Sequence, residues 1–189
     1  MCVLVILLGA VADAAVITLA GGRVHTLVLG RDQPVCGGFI NDPVRDMGHR
    51  PEGTRIEYPT APPSSGPHYP IPADPQTWFY AASTAPPVER LVHNLEHGYT
   101  LVWYDDTIKS RQLDDLRSLA GRLGADPGKV IVAAWDTGHG SFPSGQHVAL
   151  AHWSAHQGHR QYCRRASTAA INTFVNRYPR TDAPEPSGQ

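Results

Sequence analysis

The sequence predicts an α/β (α+β) fold in a single domain, with a proline-rich N-terminal loop region followed by a β-α-β-β-α core. Three observations carry this reading. A chain of 189 residues is long enough for one hydrophobic core of ordinary size. Residues 99–104 (YTLVWY) and 130–135 (VIVAAW) have the unbroken apolar, β-branched and aromatic character of strands buried on both faces. Nine prolines fall between Thr54 and Pro87, where they remove backbone donors and hold their predecessors extended.

Taken in order, residues 1–11 form an apolar run, and Ala12-Asp13-Ala14 then offers small residues around a cleavable bond. Residues 1–20 are therefore expected to be a signal peptide or a membrane anchor. No Lys or Arg precedes the run, and Asp13 would cost about 3 kcal/mol at the centre of a bilayer. Either role makes the protein extracytoplasmic, secreted or anchored at its N-terminus. Residues 24–29 suggest a short strand. The proline-rich stretch carries Tyr58, Tyr69, Trp78, Phe79 and Tyr80, aromatic surface that a linker does not need, and is expected to be packed. Val88, Leu91, Val92 and Leu95 then recur at helical spacing, with Gly98 placed to end a helix. Ile108, Leu113, Leu116, Leu119 and Leu123 mark a second amphipathic helix. Residues 146–153 read as another strand, reached from residue 135 through a glycine-rich loop that suggests a long hairpin. A last helix carries Ala170, Ile171, Phe174 and Val175 on one face. The globular domain is thus expected over residues 21–178. Residues 179–189, polar and punctuated by proline, are expected to be a flexible tail.

Sixteen basic and seventeen acidic side chains leave a formal charge of -1, which excludes a basic nucleic-acid-binding surface. With Cys2 in the targeting segment, Cys36 and Cys163 remain as an even pair. They are either a disulfide or two separate thiols.

Ten histidines direct attention to metal ions. His93 and His97, four apart, share one face of the expected helix, as two ligands of one ion require. Their bland alternative is capping and hydrogen bonding of a short helix. Glu96 could be a ligand, a partner of a ligand, or a general base. The string His93-x-x-Glu96-His97 also matches the inverted zincin signature, but that chemistry needs a further Glu ligand, and only Glu185 in the tail follows Glu96. His68 stands between Pro67 and Pro70 in a stiff loop suited to holding a ligand. Met47 and His49, two apart, would place a thioether beside an imidazole, a mixture that leans toward copper.

The segments 58–70 (YPTAPPSSGPHYP) and 89–99 (ERLVHNLEHGY), with Val102-Trp103-Tyr104, resemble the bacterial family called domain of unknown function 3105. The resemblance runs from about residue 49 to residue 153 and, more weakly, to the C-terminal end. It implies that His68, His93 and His97 belong together, and that His49 stands where the family also has a histidine. It implies no activity. His152, His156 and His159 depart from the simpler pattern of that family; His156 and His159 are expected to be solvated, the alternative being a second, weaker metal site, and His139 and His147 are read in the same way.

Together these features describe an exported or membrane-tethered, histidine-rich protein that binds a transition metal ion through His49, His68, His93 and His97, with copper slightly favoured over zinc. The alternative is a metal-dependent oxidative or hydrolytic enzyme with Glu96 as catalytic base, acting on a small-molecule substrate near Trp78, Tyr80 and Trp103. A structural envelope protein is a third class.

Overall fold

The computed structural model describes residues 14–18, 24–28, 34–125 and 129–188. The chain divides into two compact units, Met1–Pro34 and Val35–Gln189. In the first, β1 (Ala14–Thr18) pairs antiparallel with β2 (Val24–Val28). The apolar run 1–11 lies outside the described residues, among which no helix is long and apolar enough to cross a membrane.

The second unit is built on a six-stranded mixed sheet and three helices. Its strands are β3 (Ile40–Pro43), β4 (Phe79–Tyr80), β5 (Thr100–Tyr104), β6 (Val130–Ala134), β7 (Val148–Ser154) and β8 (Gln157–Cys163), in the order β3-β8-β7-β5-β6-β4. The helices are α1 (Val88–Glu96), α2 (Arg111–Ala125) and α3 (Thr168–Arg177). Strands β4, β6 and β5 run parallel, and β5, β7, β8 and β3 pair antiparallel. The strand alternation sorts side chains onto two covered faces. Leu101, Trp103, Ile131, Ala133, Ala149, Ala151 and Trp153 meet Val88, Leu91, Val92 and Leu95 of α1 on one face. On the other, Val102, Val130, Val132, Val148 and Leu150 meet Leu116 and Leu119 of α2 and Ile171 and Phe174 of α3. Because both faces are covered, β5 and β6 read as continuous apolar runs.

The α+β class and the core order seen in sequence are present, with four differences. β8 joins the sheet although Gln157-Gly158-His159-Arg160-Gln161 is polar. Its buried side chains find partners through their nitrogens: Arg160 donates to both oxygens of Asp42 (2.5 and 2.8 Å) and Gln161 Nε2 donates to the Gly37 carbonyl (2.8 Å). The loop from β6 to β7 is not a hairpin, since β5 lies between those strands. The tail is docked instead of free: Ala155 N donates to Asp182 O (2.7 Å), Glu185 N to Glu96 O (3.0 Å), and Lys129 Nζ to the Pro186 and Gly188 carbonyls. Finally, Trp103 is fully buried and packs edge-on against Trp135, and the Tyr80 hydroxyl donates to the Asp74 carbonyl. Tyr80 and Trp103 thus belong to the core cluster that α1 covers.

The proline-rich stretch packs through its aromatic rings. Tyr58 donates to Pro67 O and Tyr69 to Thr54 O, fixing the loop on itself. Cys36 and Cys163 form a disulfide that closes 127 residues of chain.

Candidate metal centre

Helix α1 is buried on two sides. Its apolar stripe covers the sheet with Leu91, Val92 and Leu95 at 0% exposure, each such residue contributing roughly 1.5–3 kcal/mol. Beside that stripe, Glu89, His93 and Glu96 are also buried, and polar groups in such a position require partners. The proline-rich loop supplies several. Asn94, wholly buried between the two histidines of the helix, clasps Ala73 with both ends of its amide: Oδ1 accepts from Ala73 N (3.0 Å) and Nδ2 donates to Ala73 O (3.1 Å). Tyr69 N donates to Glu89 O. His68 forms a short parallel bridge with His49, through Arg50 N to His68 O (2.7 Å) and His68 N to Gly48 O (3.4 Å). The turn at Gly98, with φ +83°, ends the helix and leads directly into β5.

This framework brings His49, His68, His93 and Glu96 together. One ligand atom from each lies within 4.8 Å of all the others, so the group can hold a metal ion. His68, His93 and Glu96 are buried, while His49 is exposed and marks the solvent side. Neighbouring rings are 4.7 Å (His68–His93), 4.9 Å (His49–His68) and 5.2 Å (His49–His93) apart between centroids.

The backbone determines which nitrogens face inward. His93 Nδ1 donates to Tyr69 O (2.6 Å) and His68 Nδ1 donates to Gly66 O (2.9 Å). Both rings thereby present Nε2, the arrangement by which carbonyls orient metal-binding imidazoles. His68 Nε2 faces Glu96 Oε2 at 3.1 Å and has no other hydrogen-bond partner among the described residues. Two lone pairs at that distance repel, so a proton or a cation belongs between them. Burial lowers the His93 pKa to about 4, with further lowering by charge at His68 and His97, against the Tyr69 hydrogen bond and Glu96. His93 is therefore neutral at neutral pH, the form that ligates metal. Burial opposes ionisation of Glu96, but hydrogen bonding with His68 and electrostatic attraction from the surrounding imidazoles of His68, His93 and His97 outweigh it and hold its carboxyl below the ordinary value.

His97 lies at the edge of this set. Its Nε2 is 3.2 Å from His93 Nε2 and 3.5 Å from Glu185 Oε2, and it belongs to a second group, Glu96, His97 and Glu185, whose ligand atoms also lie within 4.8 Å of one another. The residues foreseen from sequence are thus neighbours, but Glu96 takes the place in the quartet that sequence assigned to His97. The docked tail brings the downstream glutamate, Glu185, up to the helix. Glu96 nevertheless faces His68, whereas a zincin base must be free to activate water. Met47 is 41% exposed.

Several positions were not foreseen. Asn94 was legible only as a polar residue on an otherwise buried helix. The Tyr69 and Gly66 carbonyls leave no side-chain signal. His159, expected to be solvated, is buried in β8, and His152 is buried in β7. His152 Nε2 meets Asp182 Oδ1 (2.9 Å), and His159 is held by Asn41 and Ser154 and stacks on Tyr178 at 3.9 Å. The His139 side chain is also largely covered, 3.8 Å from Glu89, whereas His156 is exposed as expected.

No curated protein and no solved structure matches this chain. A family profile described as "Protein of unknown function (DUF3105)" matches residues 49–189, which include His49, His68, His93, Glu96, His97 and Glu185. The chain therefore belongs to the DUF3105 family of proteins of unknown function.

Proposed function

We propose that this is an extracytoplasmic metal-binding protein that takes up one transition metal ion at His49, His68, His93 and Glu96. The observation that carries this reading is the contact of His68 Nε2 with Glu96 Oε2 at 3.1 Å, in a quartet whose two buried imidazoles are both oriented by backbone carbonyls. Three imidazoles and a carboxylate suit zinc or copper(II). The case for copper that rested on Met47 weakens with that residue's exposure, so the two metals stand level. Export is supported by the apolar run at residues 1–11 and by the Cys36–Cys163 disulfide, which suits an oxidising compartment.

Binding is favoured over catalysis because Glu96 sits within the donor set and is not free to act as a base. The test is equilibrium dialysis of the chelated full chain against Zn(II) and Cu(II) separately, followed by elemental analysis. The expected outcome is a tightly held ion that is lost in His68→Ala and in His93→Ala. Wild-type uptake equal to that of the two variants would overturn the reading. Glu96→Gln should weaken binding in the same assay, whereas unchanged affinity would remove Glu96 from the ligands.

A further inference from the structure

We propose a second metal-ion position beside the first, formed by Glu96, His97 and Glu185 and sharing Glu96 with it. The inference rests on the reading of the first site as a metal centre and extends it to a pair. Each group by itself brings its ligand atoms within 4.8 Å of one another, and Glu96 is common to both. A carboxylate placed between two donor sets is how proteins hold ions about 3.5–4 Å apart.

Three features of the chain shape this position. First, Glu96 is only 6% exposed yet has two carboxylate oxygens, and Oε2 is directed at His68. Second, His97 Nε2 lies 3.2 Å from His93 Nε2, the ligand atom of the first position, so the two donor sets are adjacent. A proton on His97 Nε2 points to either His93 or Glu185, whereas a cation there attracts Glu96 and Glu185 together. Third, the C-terminal segment is fixed so as to deliver Glu185: Glu185 N donates to Glu96 O (3.0 Å), and Lys129 Nζ ties the His97 carbonyl (2.8 Å) to that of Gly188 (2.7 Å). Gly188 lies so close to the His97 ring that a Cβ there would collide with it.

Two carboxylates and one imidazole form a harder donor set than the inner quartet and suit divalent zinc, cobalt, iron or manganese over copper(I). The Glu185 side chain is 64% exposed, so this outer ion exchanges more readily than the inner one.

The test is titration of the chelated full chain with Co(II), followed by visible absorption and by elemental analysis after dialysis, in wild type, Glu185→Gln and His68→Ala. Because Glu185 is exposed, its substitution leaves the fold intact. The expected result is two Co(II) ions per wild-type chain and one in Glu185→Gln, with the more tightly held ion unchanged. A single ion in both wild type and Glu185→Gln, lost in His68→Ala, would overturn the second position and leave the first standing. No bound ion in wild type would overturn both.

Discussion

Acidification of the metal-free chain should reveal the cost of charging His93. This imidazole is 5% exposed, and its ring centroid lies 4.6 Å from that of His97, 4.7 Å from His68 and 5.2 Å from His49. Burial, and then the neighbouring imidazoles, lower its pKa from 6.5 to about 4. Above pH 6.5 the group is neutral in both folded and unfolded chains and does not affect stability. As pH falls from 6.5 toward 4, the unfolded chain takes up a proton that the folded one refuses, so stability is lost over that window. The difference amounts to about 3 kcal/mol by pH 4, or a fall of roughly 10 °C in Tm for a domain of this size. The assay is thermal unfolding of the chelated protein between pH 7.5 and pH 4, wild type against His93→Gln. Other acid-sensitive groups such as Asp42 and Asp182 remain in both proteins, so the difference in slope isolates His93. The variant should lose less stability over this window. Identical slopes would refute the claim that His93 is buried neutral.

Other perturbations follow from the same framework. Asp42→Ala removes the partner of Arg160 and the acceptor of the Ser64 hydroxyl (2.7 Å), leaving a guanidinium that is 8% exposed without its carboxylate; a loss of about 3 kcal/mol should appear in urea unfolding, and an unchanged midpoint would contradict it. Gly98→Ala imposes φ +83° on an alanine and brings its Cβ within 2.5 Å of Arg180 O, so it should cost more than the about 1–2 kcal/mol of the backbone alone and expose residues 180–188 to limited proteolysis, whereas wild-type melting and cleavage would count against the docked tail. Replacing Cys36 and Cys163 together with serine releases a loop of 127 residues in the unfolded state and should lower stability by up to about 5 kcal/mol on the chain-entropy view; wild-type stability in non-reducing buffer would show that the bond contributes nothing.

Much of the core was legible because it follows simple periodicities. Leu91, Val92 and Leu95 recur at helical spacing because one face of α1 meets the sheet, and the VIVAA run of β6 is uniformly apolar because both its faces are covered. β8 and the tail were not legible, for a shared reason. Their burial depends on partners far away in sequence: Asp42 for Arg160, Asn41 for His159, and Glu96 and Lys129 for the segment around Glu185. A polar residue that finds such a partner looks the same in sequence as one that finds water. The site divides along the same line. The apolar spacing of Val88, Leu91, Val92 and Leu95 identified the helix and the four-residue spacing placed His93 and His97 on one face of it, but which of them faces His68 depends on the path of a proline-rich loop. The carbonyls of Gly66 and Tyr69 that orient the rings have no sequence signature.

The central claim is that exposed His49 and buried His68, His93 and Glu96 form a site for one transition metal ion. X-ray absorption spectroscopy of the chelated full chain reloaded with a single equivalent of Zn(II) tests it most directly. The result expected is a shell of nitrogen and oxygen donors at about 2.0–2.2 Å, with outer-shell scattering from three imidazoles. A shell containing sulfur, or one with no imidazole scattering, would contradict the claim.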